Sequence, residues 1–219
     1  KIELSLKDVE YEYSKGHNFH IGPINFRFCT GEIVFITGGN GSGKSTLLML
    51  LSRIYKPQEG NIEIDEQNIW NYKIKDFAKK VAVVHQKNQI YGDQDVKTIV
   101  GYGRLPYLHY SQKLTAKDYE IIDWALEVTH LKEYQNRTLK SLSGGQQQRV
   151  WIAMALAQKT PYLLLDEPTS RIDSLNEAAL LESLKQIKDE KLIIIVSHRK
   201  SSLALCDEII EIEQGIIKH

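Results

Sequence analysis

Short apolar runs recur along the chain and predict buried strands. Each run is continuous and rich in large aliphatic side chains, a pattern typical of strands that are covered on both faces of a parallel sheet. Four such runs are found, at residues 33–37, 81–84, 162–165 and 192–196. They predict an α/β fold with a mainly parallel sheet.

Both ends of the chain show a different pattern, in which apolar and polar residues alternate. Alternation predicts strands with one buried face, usually in antiparallel sheets. Near the start the apolar positions are Ile2, Leu4, Leu6, Ile24, Phe26 and Phe28. Near the end, residues 208–212 and 214–217 predict a final hairpin.

The middle of the chain favours helix. Between residues 118 and 130 the apolar and small side chains recur at helical spacing, at Ile121, Ile122, Ala125, Leu126 and Thr129. We therefore expect a single domain with an inserted helical subdomain. In this division, residues 1–30 and 208–219 form an antiparallel β-region, 31–86 and 143–207 form the core, and 87–142 form the helical subdomain.

A glycine-rich loop with the sequence GGNGSGKST follows the first buried strand, at residues 38–46. Glycines let the backbone turn tightly and aim its N–H groups at an anion, and the N-terminus of the next helix favours the same charge. Lys44 is placed to reach terminal phosphates, and Ser45 to ligate Mg²⁺. The strand, loop and helix predict a P-loop NTPase core. The predicted nucleotide contacts are Gly39, Asn40, Gly41, Ser42, Gly43, Lys44, Ser45 and Thr46.

Two carboxylates end the third buried run, at Asp166 and Glu167. Asp166 is expected to hold Mg²⁺, directly or through water, and Glu167 to polarise the attacking water as a general base. Alone, this pair is equally consistent with an ordinary strand end. Together with the phosphate loop, it favours nucleotide hydrolysis.

The other two buried runs lead into Gln86 and His198. Ligands of open parallel sheets bind beyond the carboxyl ends of the strands, so these side chains should converge on the same crevice. Both side chains are predicted to contact the γ-phosphate, Mg²⁺ or the attacking water. Gln86 is also predicted to help hold the metal. The alternative for His198 is a purely structural histidine.

A second glycine turn, Leu142-Ser143-Gly144-Gly145-Gln146, opens a helical-looking run. Such a turn makes another anion-binding helix terminus, although the chain already has its own phosphate loop. We therefore expect it to serve the nucleotide of another chain. This pentapeptide and the two nucleotide motifs resemble the ATP-binding-cassette ATPase family over essentially the whole chain.

That resemblance implies a head-to-tail dimer, either a homodimer or a pair with another cassette chain, that sandwiches two ATP molecules. Ser143, Gly144, Gly145 and Gln146 would then face the partner's ATP. Tyr13 matches the aromatic residue on which adenine stacks, with Tyr11 as the alternative and an ordinary strand tyrosine as the plainer reading. Asp173 lies where the family has a Ser-Ala-Leu-Asp turn at the dimer seam, and Arg171 and Ile172 depart from that pattern.

Composition narrows the choice of partners. The 28 basic and 28 acidic residues cancel, so no charge excess points to nucleic acid. Cys29 and Cys206 match no disulfide or metal spacing.

No apolar run is long enough to cross a bilayer. The resemblance implies that transmembrane permease subunits or a fused membrane domain supply the membrane part, and that the cassette lies at the cytoplasmic face of the cell membrane.

The transported substrate is indicated by shorter resemblances. Residues 100–107 and 149–158 resemble importers of ferric siderophores and related iron complexes, whereas residues 22–26, 31–36, 38–40 and 197–199 resemble exporters whose ATPase is fused to membrane helices. We interpret the chain as an importer ATPase, with exporter and non-transport switch as alternatives. Residues 89–107 are the predicted docking segment for the membrane partner, coupled to the site through Gln86.

Overall fold

The computed structural model describes residues 3–14, 19–89 and 92–218. Ile2, part of the alternating pattern above, lies outside them, as do residues 90–91 of the predicted docking segment. The strands within the described ranges are β1 Glu3–Glu12, β2 His20–Cys29, β3 Ile33–Thr37, β4 Glu59–Ile64, β5 Gln67–Asn68, β6 Val81–Val84, β7 Tyr162–Asp166, β8 Leu192–Val196, β9 Glu208–Glu213 and β10 Ile216–Lys218.

Helices connect most of these strands. The α-helices of the described ranges are α1 Lys44–Leu51, α2 Ile74–Ala78, α3 Val96–Gly101, α4 Ala116–Val128, α5 Gly144–Ala157 and α6 Ser174–Ile187. Short 3-10 turns occupy Ile69–Asn71, Tyr102–Tyr107, Lys132–Tyr134, Leu139–Ser141, Lys188–Glu190 and Lys200–Leu205. In the part of the chain that the structure describes, no helix is long and apolar enough to cross a membrane.

The larger sheet contains the four continuous apolar runs. Its strand order is β10-β9-β3-β8-β7-β6, with β3, β6, β7, β8 and β9 parallel and β10 antiparallel to β9. Every residue of β7 and β8 is buried, because helices cover both faces of a parallel sheet. The predicted α/β fold with a mainly parallel sheet is confirmed.

The smaller sheet is antiparallel, in the order β2-β1-β4-β5. Leu4 lies opposite Phe28 and Leu6 opposite Phe26. The alternation puts Leu4, Leu6 and Phe28 into a core that also contains leucines of α1, such as Leu47. Helix α1 is therefore held between the two sheets, which fixes the phosphate loop at its N-terminus.

The predicted grouping of the chain's end with residues 1–30 needs correction. Residues 208–219 do begin a hairpin, but β9 pairs in parallel with β3 and so extends the larger sheet. Conversely, β4 and β5 from the predicted core segment 31–86 belong to the antiparallel sheet. Alternating burial in β9, the second strand from the sheet edge, shows that one of its faces is covered and the other exposed, a pattern that does not tell a parallel strand from an antiparallel one.

The segment 87–142 contains α3 and α4 and packs against α5. Helix α4 begins at a capping box in which Thr115 and Asp118 exchange hydrogen bonds. Ile122 and Leu126 of α4 share one hydrophobic cluster with Ile152 of α5. The subdomain and the larger sheet therefore have a continuous core. Apart from the regrouping of β4, β5 and β9, the division of the chain, including residues 87–142 as a helical subdomain, stays a prediction.

Candidate nucleotide-binding site

The phosphate loop connects β3 to α1 and depends on left-handed backbone at two glycines. Gly41 has φ 74° and Gly43 has φ 113°, values that L-residues with a side chain rarely adopt. A Cβ on Gly43 would also lie 3.1 Å from Cζ of Phe19. The loop conformation and its contact with the aromatic wall of the site therefore both require glycine at position 43.

Lys44 is the first residue of α1 and is only 6% exposed. Its Nζ donates hydrogen bonds of 2.7 Å to the carbonyl oxygens of Gly38 and Gly39. Burial lowers the pKa of Lys44, an effect opposed by the negative charges of Glu167 and Asp166. An anion at the loop would favour the charged ammonium, which these two carbonyls already hold in the cradle.

Asp166 and Glu167 lie at the carboxyl end of β7. The Asp166 side chain is nearly buried, and this burial raises its pKa. The neighbouring negative charge of Glu167 raises the pKa further, whereas the charges of His85, Lys44 and His198 act to lower it. No hydrogen bond to its carboxylate is found within the described ranges. Glu167 has a left-handed backbone, with φ 48°, a conformation that costs free energy in a residue with a side chain. Two adjacent carboxylates with this little compensation favour a cation.

His198 and Gln86 come from the strands on the two sides of β7. Nε2 of His198 lies 3.2 Å from Oε1 of Glu167, and the imidazole is half exposed. That oxygen of Glu167 has no well-aligned hydrogen bond among the described residues. Gln86 is exposed and follows β6 by two residues. Both side chains can therefore reach a ligand in the crevice, and His198 does so from beside the Glu167 carboxylate.

A single cavity of about 520 Å³ collects these groups. It contains all the predicted own-chain site residues except Gly39, which lines a neighbouring hollow beside β9. The lining residues are Tyr13, Phe19, Asn40, Gly41, Ser42, Gly43, Lys44, Ser45, Thr46, Gln86, Asp166, Glu167, Val196 and His198. The convergence expected from strand topology is found.

An aromatic cluster forms one wall of this cavity. Tyr13 lines it, and its hydroxyl is 2.8 Å from Oγ1 of Thr46 in α1. Tyr11 instead stacks on Tyr55, with ring centroids 5.0 Å apart and planes within 4°. Because one face of Tyr11 is already covered, the geometry favours Tyr13 for stacking on a base.

The oxygen donors of the cavity fit Mg²⁺ better than a softer metal. Ser45, Gln86 and Asp166 supply a hydroxyl, an amide carbonyl and a carboxylate to the same space. Hard oxygen ligands of this kind suit Mg²⁺, which also uses substrate phosphates as ligands. The described residues contain no cluster of three or more His, Cys, Asp or Glu that could hold a metal by themselves. This donor set therefore fits a metal that arrives with a nucleotide.

The second glycine turn lies elsewhere. Ser143 is the N-cap of α5, and it forms a capping box in which its hydroxyl accepts from the Gln146 N–H and its own N–H donates to Oε1 of Gln146. A Cβ on Gly145 would lie 3.1 Å from the carbonyl oxygen of Arg171. The turn is therefore packed against the segment before α6, which begins at the N-cap Asp173.

This turn lines a separate cavity of about 340 Å³. None of its residues lines the cavity of the phosphate loop. The residues concerned are Ser143, Gly144, Gly145, Gln146, Arg149, Arg171, Ile172, Asp173 and Asn176. The structure thus brings the phosphate loop, carboxylates, Gln86 and His198 together, and keeps Ser143–Gln146 apart from them.

Several residues in or beside the two cavities escaped sequence reasoning. Phe19 reaches the cavity from the start of the second strand, and His85 lies close enough to Asp166 to affect its pKa. Arg149 lines the second cavity from within α5. Only His85 carried a signal, since it ends a buried strand beside Gln86; Phe19 and Arg149 are placed by tertiary packing.

Comparisons with known proteins agree with this geometry. The ABC transporter family model matches residues 21–170. The chain is 39% identical over 219 residues to the petrobactin import ATP-binding protein FpuC of Bacillus anthracis, covering 99% of this chain and 80% of that protein. It is 38% identical over 217 residues to a probable ABC transporter ATP-binding/permease protein of Haemophilus influenzae, covering 97% of this chain and 39% of that protein.

A solved structure gives the same result for the fold. The dimeric structure of MJ0796, a bacterial ABC transporter cassette, superposes with a TM-score of 0.86 at 29% identity, covering 99% of this chain and 97% of that one. Fold, phosphate loop, strand-end carboxylates and second glycine turn all fit this assignment. The chain belongs to the ABC transporter family and is one of its ATP-binding ATPase cassettes.

Proposed function

We propose that two copies of this cassette, or this chain and a paired cassette, bind head to tail and hydrolyse two ATP molecules between them. The observation that carries the proposal is the separation of the two anion-binding surfaces. The cavity of the phosphate loop contains no residue of the turn Ser143–Gln146. Each cavity is open, so a second chain can close both at once.

Each group has a role in this reaction. Lys44 and the N–H groups of the phosphate loop hold the β- and γ-phosphates. Glu167 takes a proton from the attacking water, and His198, 3.2 Å from it, keeps the carboxylate and the terminal phosphate in register. Bound Mg²⁺ would neutralise charge on the phosphates, with Ser45, Gln86 and Asp166 as its protein-side oxygens. Tyr13 stacks on the adenine.

The dimer follows from the need to close the site. Phosphoryl transfer depends on positioning and on stabilising charge on the terminal phosphate. In one chain, the phosphate loop and the carboxylates line an open cavity, and no residue of the Ser143 turn reaches it. The N-terminus of α5, where Ser143 is the N-cap, offers backbone N–H groups that can donate hydrogen bonds to a partner's γ-phosphate.

Sizing chromatography of Glu167→Gln with ATP and Mg²⁺ tests the dimer. This variant keeps the shape of the site but cannot remove a proton, so it should accumulate as a dimer, and the specific activity of the parent should rise with protein concentration. Ser143→Arg should abolish the dimer by bulk and charge while monomers still bind ATP. A Ser143→Arg protein that dimerises and hydrolyses normally rejects the two-chain site. Gln67→Arg, at an exposed position of β5, is the control for an added arginine.

We further propose that the cassette powers transmembrane permease subunits, or a fused membrane domain, from the cytoplasmic face of the cell membrane. The proposed transported substrate is a ferric siderophore or a related iron complex. Support comes from residues 100–107 and 149–158, which resemble importers of such complexes, and from similarity to a protein named for petrobactin import. An exporter ATPase is the second candidate, favoured by the similarity to an ATP-binding/permease protein.

The helical subdomain is the proposed docking surface. In the Tyr102–Tyr107 turn, Leu105 is 55% exposed and lines an open cavity of about 460 Å³ with Leu108 and Tyr119. Arg104 is different, since it is nearly buried and its Nε lies 2.8 Å from Asp118. Of the predicted segment 89–107, Leu105 therefore supplies a surface for the partner, and Arg104 holds the turn in place.

A further inference from the structure

Arg171 lies across the Ser143 turn, where the family pattern led us to expect alanine. Its Cδ is 3.8 Å from the position of a Cβ built on Gly144, and its side chain lines the same cavity as Ser143 and Gln146. Arg171 is exposed. Within the described ranges its guanidinium makes no hydrogen bond or ion pair. The charged group is therefore available to a ligand in this cavity.

A second arginine, Arg149 of α5, lines the same cavity. Arg149 is 9% exposed, and its Nη1 donates to the carbonyl oxygens of Thr129 at 3.2 Å and His130 at 3.3 Å. Its Nε is buried without a partner among the residues that the structure describes. A buried guanidinium with an unused donor is costly unless a ligand compensates for it. The N-terminus of α5, which has 14 residues, adds its own positive potential.

Among the described residues that line this cavity, Asp173 is the one carboxylate, and it is already engaged. Asp173 accepts hydrogen bonds from the backbone N–H groups of Leu175 and Asn176, and from Nδ2 of Asn176 at 2.6 Å. These bonds lower the pKa of Asp173 and fix its charge at the start of α6. The cavity therefore holds two guanidinium groups and a helix N-terminus, all positive, against a single carboxylate whose hydrogen bonds are already made. This excess of positive charge favours an anion.

The source of that anion cannot be this chain's own nucleotide site, because the two cavities share no lining residue. We infer that Arg171 contacts the triphosphate that a second copy of this chain presents to the Ser143 turn. This inference rests on the proposed head-to-tail dimer and adds a residue to it. Arginine stays charged at all working pH values and can bind two phosphate oxygens at once. Alanine at this position would supply neither contact.

The test compares ATP-driven dimerisation in the Glu167→Gln background, with Arg171→Ala and Arg171→Lys as added changes. The readout is the ATP concentration that gives half-maximal dimer by light scattering, at low and at high salt. Arg171→Ala should raise it about tenfold at low salt and less at high salt, because salt screens an exposed charge contact. Arg171→Lys should recover part of the loss. Arg27→Ala, an exposed arginine on β2, is the matched control and should behave like the parent.

The outcomes separate the inference from the function on which it rests. If Glu167→Gln alone never dimerises with ATP, the head-to-tail dimer is rejected and the role of Arg171 with it. If Glu167→Gln dimerises and Arg171→Ala does so equally well at both salt concentrations, only the role of Arg171 is rejected. Unchanged ATP affinity of the Arg171→Ala monomer, measured by calorimetry, shows that the protein is folded and its own site intact.

A free polyphosphate offers the same chemistry as the partner's ATP, and calorimetry with tripolyphosphate distinguishes the two. The protein used is Lys44→Ala, in which the chain's own phosphate loop is weakened. Negligible heat in this protein is the expected result. Binding to the monomer that disappears when Arg171→Ala is added would assign the cavity to a free anion and overturn the contact with a partner.

Discussion

Arg199 and Glu177 join the segment that follows His198 to the start of α6. Nη1 of Arg199 lies 2.6 Å from Oε2 of Glu177 and also donates to the carbonyl oxygen of Ile172 at 2.8 Å. The Glu177 side chain is 4% exposed, and Ser202 donates to its other oxygen at 2.7 Å. These bonds link the segment that carries His198, at the nucleotide cavity, to the turn at Ile172. That turn packs on Gly145 and lines the cavity of the Ser143 turn.

The first prediction concerns the stability that this pair contributes. Glu177→Gln should lower the free energy of unfolding by about 1.5–3 kcal/mol, the usual range for hydrogen bonds to a charged group. Denaturant unfolding followed by circular dichroism measures the change. Glu182→Gln, at an exposed position of the same helix, is the control and should stay close to the parent.

The pH dependence of this difference provides a second readout. Burial acts to raise the pKa of Glu177, but hydrogen bonds from Ser202, Arg199 and Ser201 and the charge of Arg199 outweigh it and lower the pKa below its usual 4.5. The carboxylate therefore contributes in full above pH 4.5, and the contribution is lost as the pH falls through the lower folded-state value. Parent and variant should differ most near neutral pH and converge in acid. A difference that grows in acid would contradict the assigned ion pair.

The second prediction concerns Glu167 as the general base. Glu167→Gln should bind ATP but lose about 10²- to 10⁴-fold in hydrolysis rate, because an amide cannot accept the proton of the attacking water. Phosphate release measured under saturating ATP gives the rate, and calorimetry gives the affinity. Turnover near that of the parent would remove Glu167 from this role.

The third prediction concerns Lys44. Lys44→Ala should severely weaken ATP binding or hydrolysis, because the ammonium held by the carbonyls of Gly38 and Gly39 would no longer meet the phosphates. The fold should persist, since Lys44 contacts loop carbonyls and no core side chain is removed. Calorimetric titration with ATP and Mg²⁺ decides. Affinity and turnover that both match the parent would contradict the phosphate-loop assignment.

Much of the site could be predicted from sequence because its groups follow strand ends. Asp166, Gln86 and His198 each follow a run that reads as buried, and parallel strands bring their carboxyl ends to one edge. Phe19 was missed, since its place in the cavity depends on how the two sheets pack around α1. Strand β9 was grouped wrongly, because alternation identifies a strand with one covered face but not its neighbours.

The YGRLPY segment shows a further limit of sequence reasoning. It belongs to the predicted docking segment 89–107, whereas the structure gives its residues different roles. Arg104 donates to Asp118 and to the carbonyl oxygen of Ala157, and it packs against the Tyr107 ring with the guanidinium carbon 4.0 Å from the ring centroid. Gly103 approaches the carbonyl oxygen of Met154 too closely for any Cβ. Burial decides these roles, and a short motif does not encode burial.

The last prediction tests the docking surface with this division in mind. Leu105→Glu places a charge on an exposed apolar position, so the cassette should fold and hydrolyse ATP at its basal rate while its coupling to the membrane partner is lost. The measurement is uptake of a radiolabelled ferric siderophore by cells carrying the variant, beside the ATPase activity of the purified protein. Ile216→Glu, equally exposed on β10, is the control and should retain uptake. Full uptake with Leu105→Glu would reject this docking surface. A different outcome is that the parent shows no uptake but exports a peptide-like product, and that Leu105→Glu abolishes this efflux. That result would favour the exporter alternative, because the same surface would then serve transport in the opposite direction.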